Sequence, residues 1–227
     1  MKHFLFYTVL IFCGLNTQAQ INELGVFVGG TNYIGDIGPT EYIAPNEPSI
    51  GIVYKWNRSP RHAYRFSYTQ GSLKSKDIDS DVPSRNLRGN SFENSVKEFS
   101  AGLEFNFMDF DLHDSKTKIS PYVYSGVSYF IYDEIYILDN TSHLDYQSSA
   151  FAIPMVVGLK GRFFQNFVIG AEIGFRYTFT DNLDGSNPKN DNFETLRFGN
   201  LNSNDWYVFT GLTLTYTFGK NPCFCAE

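Results

Sequence analysis

The residues best suited to chemistry lie in "SHLDYQSS", which brings Ser142, His143, Asp145 and Ser148 close together in the chain. A hydroxyl, an imidazole and a carboxylate are the parts of a nucleophile, its base and the group that orients the base. The nucleophile must lie within hydrogen-bond reach of the base, and nothing in this spacing places it there. A second group, "DFDLHD", offers Asp109, Asp111, His113 and Asp114 as metal ligands. It lacks the fixed glycine and terminal glutamate of a calcium loop, so a solvated acidic turn is expected. "KDIDSDV" reads the same way. "GGTNYIGDIG", residues 29–38, spaces its glycines like a phosphate cradle, but no helical pattern follows, so turn and loop glycines are expected. The expectation is therefore no catalytic residue, no metal site and no cofactor.

The elements that would position these groups are strands. Aromatic residues make up 17% of the chain, yet mean hydropathy is -0.25, so the aromatics are dispersed among polar residues. Alternating strands do that, and spanning helices do not. In "NFVIGAEIGFRYTFTDN", Phe167, Ile169, Ala171, Ile173, Phe175, Tyr177 and Phe179 alternate with Val168, Gly170, Glu172, Gly174, Arg176, Thr178 and Thr180. The same rhythm recurs in about eight segments, most of them as long as the roughly 9 to 11 residues that cross a bilayer at a tilt. The segment "SPYVYSGVSYFIYDE" carries tyrosines on both faces, and its phase is ambiguous. Long polar connections are expected over Thr31–Glu47, Ser72–Ser91, Ile135–Ser148 and Asp181–Asp205, with short turns between them. Long loops on one side and short turns on the other are the pattern of an outer-membrane barrel.

Two orientations of these strands compete. A soluble sandwich would bury the greasy face and leave the charges in water. Against this, glycines crowd the polar face (Gly51, Gly102, Gly126, Gly158, Gly170, Gly174, Gly211), where a narrow barrel needs room for long side chains. Lys55, Arg65, Lys160, Arg162 and Arg176 share that face with Glu104 and Glu172, a set able to pair across a closed lumen. Aromatics near strand ends, such as Trp56, Tyr68, Phe107, Phe179 and Phe218, suit the two interfacial girdles. The fold class expected is all-β: an eight-stranded antiparallel transmembrane β-barrel of the OmpA or OmpX kind, with periplasmic termini. Eight strands enclose an interior just wide enough for side chains, which predicts a plugged barrel with no diffusion pore.

The chain begins "MKHFLFYTVLIFCGLNTQAQ": a basic start, an apolar run from Phe4 to Leu15, and small residues Thr17 and Ala19 at the positions a signal peptidase prefers. Residues 1–19 read as a signal peptide for Sec-dependent export, 20–219 as the barrel and 220–227 as a periplasmic tail. The last strand closes on Phe218, an aromatic ending like the one that barrel-assembly machinery reads, although nine residues follow it here. The tail "KNPCFCAE" holds Cys223 and Cys225; an oxidising periplasm disfavours free thiols, which leaves two outcomes open, an intermolecular bridge to a partner or a mutual disulfide strained by the single residue between them. The formal net charge of -6 excludes a nucleic-acid footprint.

The segments "GVFVGGTNYIGDIG" and "YIAPNEPSIGIVYKWNRSPRHAYRFSYTQGSL" resemble the PorG-type outer-membrane component of the type IX secretion system of Bacteroidetes. That resemblance implies a non-enzymatic role in protein export. Its members anchor a periplasmic ring, built from a lipoprotein and its partner, to the outer membrane. The ring-facing parts here would be Asn57 to His62, with Arg58 and Arg61 between them, Asp109 to Lys118, and the tail. Gliding motility depends on the same machine in some members. Two other functions compete: a surface-adhesion barrel using its outer loops, and a lipid-modifying enzyme using His143 near the outer rim. Lipids of the outer membrane are partners in every case.

Overall fold

The computed structural model describes residues 21–112, 118–164 and 166–219. Eight strands run in chain order: β1 (Ile21–Ile34), β2 (Glu47–Asn57), β3 (His62–Lys76), β4 (Ser91–Asn106), β5 (Ile119–Leu138), β6 (Thr141–Phe164), β7 (Phe167–Thr178) and β8 (Trp206–Phe218). Each pairs antiparallel with the next, and β1 pairs with β8, from Asn22↔Phe218 to Ile34↔Trp206. The sheet is thus a closed barrel without free edges. The regions expected to be signal peptide and cysteine tail lie outside the described residues.

Alternation sets the two faces. On β7, Val168, Gly170, Glu172, Gly174, Arg176 and Thr178 are buried, while Phe167, Ile169 and Phe175 stand outside. Around the wall Ile50 is 62% exposed, Leu212 59% and Val157 54%, whereas Glu104 is fully buried and Lys160 is 2% exposed. An apolar surface running round all eight strands is far larger than a water-soluble monomer tolerates. It is suited to hydrocarbon, where a closed barrel satisfies every backbone group. The orientation expected from the sequence therefore holds. The ambiguous fifth strand resolves with Tyr122, Tyr124, Phe130 and Tyr132 inward and Val127 and Tyr129 outward.

Two aromatic belts bound the apolar wall. The lower belt includes Trp56 against Tyr64 and Phe167 against Tyr216. The upper belt includes Tyr68 against Phe99, Tyr129 against Phe151, and Tyr177 against Phe179 and Trp206. From Phe167 to Tyr177 a strand rises about 33 Å at 3.3 Å per residue. A tilt of about 40° reduces this to about 25 Å, the height of the apolar band in such barrels.

Three expected outer loops are shorter than the sequence suggested. β3 runs on to Lys76, and β1 to Ile34. The largest correction is at Ile135–Ser148, which is not a loop. β5 and β6 extend to 20 and 24 residues and meet at Asp139–Asn140, both with positive φ (49° and 64°). Two consecutive left-handed residues make the tight hairpin turn whose twist matches its strands. Beyond the upper belt the outward positions become polar, as at Ser72, Lys74 and Lys76, so alternation fades although the hydrogen-bond ladder continues. The β7–β8 connection, residues 179–205, is long as expected. Helix α1 (Pro83–Arg88), between β3 and β4, closes on Gly89 with φ 74°, a left-handed cap that glycine adopts without strain.

Candidate functional site: the filled lumen and its two rims

The lumen is occupied by ion pairs arranged in tiers. Nearest the termini, Glu23 accepts from Asn57 Nδ2 (2.8 Å) and from Thr215 Oγ1 (2.6 Å). Above it, Glu104 gathers three cations: Lys160 Nζ at 2.6 Å, Lys55 Nζ at 2.8 Å and Arg65 Nη1 at 3.6 Å. Arg65 also grips Glu172 through two parallel bonds of 2.8 and 2.7 Å, the fork geometry that suits a guanidinium and a carboxylate. Tyr122 donates to Glu172 at 2.5 Å, and its ring lies under Lys55 at 5.1 Å. Higher still, Arg176 and the Tyr207 hydroxyl converge on Glu98. Phe27, Phe130, Tyr207 and Phe209 then form an apolar layer.

Four carboxylates and four cations are thus buried together: Glu23, Glu98, Glu104 and Glu172 with Lys55, Arg65, Lys160 and Arg176. An unpaired charge at this depth costs several kcal/mol; Glu98, Glu104 and Glu172 are held by cations, whereas Glu23 is held by the neutral donors of Asn57 and Thr215. Of the charges predicted to face the lumen, six do so in this network. Arg162 is at the lower rim, half-buried, its Nε donating to the Phe164 carbonyl (3.4 Å). Sequence reasoning overlooked Glu23 and Glu98. Alternation with Leu24 and Phe99 places both on the inward face, so the signal was present.

Glycines fit the tiers. A Cβ on Gly174 would fall 2.1 Å from Arg176 Nη1, and one on Gly158 would fall 2.6 Å from the Tyr122 ring. These two make room for long side chains, as expected. Gly102 and Gly126 have a different reason: they face each other across β4 and β5, and a Cβ on either would meet the opposite backbone at 2.2 or 2.1 Å.

The outer mouth is closed by the β7–β8 connection. Asn182, Leu183, Asp184 and Ser186 are buried inside it. Asn182 Nδ2 donates to Glu134 Oε2 and to the Ile135 carbonyl, and Glu134 pairs with Lys189 at 2.7 Å. Asp184 accepts from the Ile37 amide (3.2 Å), and Asp205 accepts from the Leu183 amide (2.8 Å) and the Tyr33 hydroxyl. Burial pushes the carboxyls of Asp184 and Asp205 above the usual range, and Asp184 adds to the effect on Asp205. Burial raises Asp181, at the loop's start, to about 6. Asp77, fully buried, is neutralised by Arg88 at 2.6 Å.

At the opposite rim the predicted contact residues divide. Arg58, Arg61 and His62 are exposed. Arg61 binds Asp109 at 2.6 Å and the Phe107 carbonyl at 3.0 Å. His62 Nδ1 is 3.0 Å from Ser59 Oγ, and its ring lies edge-on to Phe105. Asn57 is 8% exposed and committed to Glu23, so its side chain belongs to the lumen rather than to a contact surface. Cys223, Cys225, His113 and Asp114 lie outside the described residues.

The "SHLDYQSS" group does not assemble. Ser142 and His143 are neighbours on a strand and point to opposite faces. Ser142 Oγ accepts from the Glu93 amide, His143 Nε2 is 3.3 Å from Thr141 Oγ1, its ring stacks on Tyr136, and Asp145 accepts from Asn190. In "GGTNYIGDIG", Gly29 and Gly30 belong to β1, and Gly38 turns with φ 87° against Ser75.

A family model described as a domain of unknown function (DUF6089) matches residues 2–227. The chain belongs to that family. No curated protein matches it. Solved structures to which it is similar include Ail, the attachment invasion locus protein of Yersinia pestis, at 11% identity and a TM-score of 0.44, covering 88% of this chain and 99% of that one. The N-terminal β-barrel domain of Pseudomonas aeruginosa OprF follows at 15% identity and 0.46, covering 88% and 100%. Neisserial surface protein A is similar at 10% identity and 0.45, covering 88% and 96%.

Proposed function

We propose that this family member is a non-enzymatic barrel of the bacterial outer membrane that anchors the periplasmic ring of a type IX secretion machine. The observation that carries the reading is the sealed interior. Ion pairs fill the lumen and residues 182–186 close its mouth, which leaves the rims to do the work. The resemblance of residues 25–73 to the PorG-type component directs attention to the rim nearest the termini. Arg58, Arg61 and His62 stand exposed there. Export by the Sec route, insertion by barrel-assembly machinery and bridging by Cys223 and Cys225 complete the reading. The test is co-purification after mild detergent extraction. The wild type should bring a periplasmic lipoprotein complex, and Arg58→Glu with Arg61→Glu should lose it while the barrel stays folded. A deletion strain that secretes its cargo normally would refute the reading.

A surface-binding role is the second reading, favoured by large apolar side chains exposed beyond the upper belt. Leu87 is 88% exposed, Tyr42 69% and Leu144 66%. Loss of cell or matrix adhesion in the deletion strain, with secretion intact, would favour it.

A further inference from the structure

The lipid-facing wall is uneven at one place. Across β3, β4 and β5, Phe66, Ala101 and Val127 lie side by side in register and point outward. Ala101 is the small member of a neighbourhood that otherwise carries Tyr54, Tyr68, Phe99 and Tyr129. The result is an apolar groove of about 550 Å³ just below the upper belt. Clefts of about 300–1,000 Å³ are the size that holds small-molecule ligands. Its walls are stiffened by ring contacts, Tyr68 on Phe99 at 4.7 Å and Tyr54 on Phe66 at 6.2 Å.

One step above Phe99 on the same face stands Lys97, opposite Gln70 on β3 and Ile131 on β5. Outward residues two apart on a strand are about 7 Å apart, within the span of a lysine side chain. Lys97 is half-buried, and among the described residues it has neither a hydrogen-bond nor an ion-pair partner. The next outward lysine up the wall, Lys74, is already held between Glu47 at 3.9 Å and Glu93 at 3.7 Å. An apolar groove on the lipid-facing wall, with an uncommitted lysine one step above it on the same face and long enough to reach its upper end, matches an acyl chain below an anionic headgroup. The lip belongs to the end of the barrel that carries the long connections, and so to the outer leaflet.

We infer that the groove over Ala101 seats an acyl chain of a phosphorylated glycolipid of the outer leaflet, with its phosphate on Lys97. The site would make this barrel a specific lipid binder, independent of any role at the opposite rim. The test is native mass spectrometry of the full-length protein, delipidated in detergent and titrated with lipid A, with its dephosphorylated form and with phosphatidylglycerol. Wild type should bind one lipid A. Removing the phosphate, or Lys97→Gln, should weaken binding about tenfold, as expected for loss of one charge-assisted contact. Ala101→Trp, which fills the groove, should abolish the one-to-one complex. Val127→Trp fills it from β5 and serves if the first variant does not reach the folded, heat-shifted form on gels. Unchanged binding in a folded groove-filled variant would overturn the proposal, as would indifference to Lys97→Gln. Equal binding of phosphatidylglycerol would overturn the glycolipid assignment.

Discussion

Replacing Glu104 by Gln tests the central physical claim, that the lumen is a dry, charge-balanced solid rather than a wet channel. The change preserves shape and removes one negative charge. Lys160 and Lys55, at 2.6 and 2.8 Å, then lose their carboxylate, while Arg65 keeps Glu172. Breaking a buried pair costs about 3–5 kcal/mol, and two stranded ammonium groups argue for the upper end. The amide oxygen of Gln still accepts one bond from a charged donor, which offsets about 1.5–3 kcal/mol. The expected net loss is about 3 kcal/mol. Denaturant unfolding from detergent micelles reads it through Trp56 and Trp206, which belong to the aromatic belts and report loss of the apolar surroundings. The control is Arg61→Gln. Its pair with Asp109 is 46% and 66% exposed, so the expected change is under about 1 kcal/mol. Glu104→Gln with Lys160→Met restores neutrality and should recover at least about 1 kcal/mol, the coupling expected of contacting residues. If Glu104→Gln unfolds no more readily than Arg61→Gln, water screens those charges and the filled-lumen argument fails.

The remaining expectations follow from the same geometry. Gly102→Ala should slow or prevent closure of β4 on β5, because its Cβ would lie 2.2 Å from the Ser125 carbonyl; loss of the heat-dependent gel shift of a folded barrel measures this. Planar-bilayer recordings should show no steady conductance from the wild type, and a stable ohmic channel would contradict the sealed lumen. The outer plug should respond to pH. Asp181 is raised from 3.8 to about 6 by burial, so its contribution to the closed loop is fully present below about 3.8 and is lost as pH rises through about 6. Hydrogen exchange of residues 182–186, corrected for intrinsic rates, should therefore show stronger protection at pH 4 than at pH 7. Asp181→Asn with Asp205→Asn should flatten that difference.

Much of the architecture was readable because a membrane barrel obeys period two on both faces. β7 illustrates it: each outward residue from Phe167 to Tyr177 and each inward one from Val168 to Arg176 follows from alternation alone. The rule also covers Glu23 and Glu98, which alternate with the outward Leu24 and Phe99 and so face inward. The loops were misjudged where lipid ends. Above the upper belt, outward residues such as Ser72, Lys74 and Glu93 meet water, so the apolar half of the signal disappears while strand pairing persists. The Asp139–Asn140 turn was hidden in a polar stretch of that kind. The inward role of Asn57 is not legible in the sequence, because its place at a strand end says nothing of the carboxylate it reaches inside the barrel.

The amino-acid order by itself determined that the strands cross a bilayer, which side chains face hydrocarbon and which face inward. These are local consequences of a two-residue repeat against two solvents. Only closure of the barrel decided who pairs with whom. Arg65 meets Glu172 from 107 residues away and Arg176 meets Glu98 from 78, contacts set by strand order, tilt and register rather than by any short pattern. The plug at the outer mouth and the groove over Ala101 are likewise tertiary. The plug depends on a connection folded back into the mouth, and the groove on side chains that several strands bring to one height on the wall.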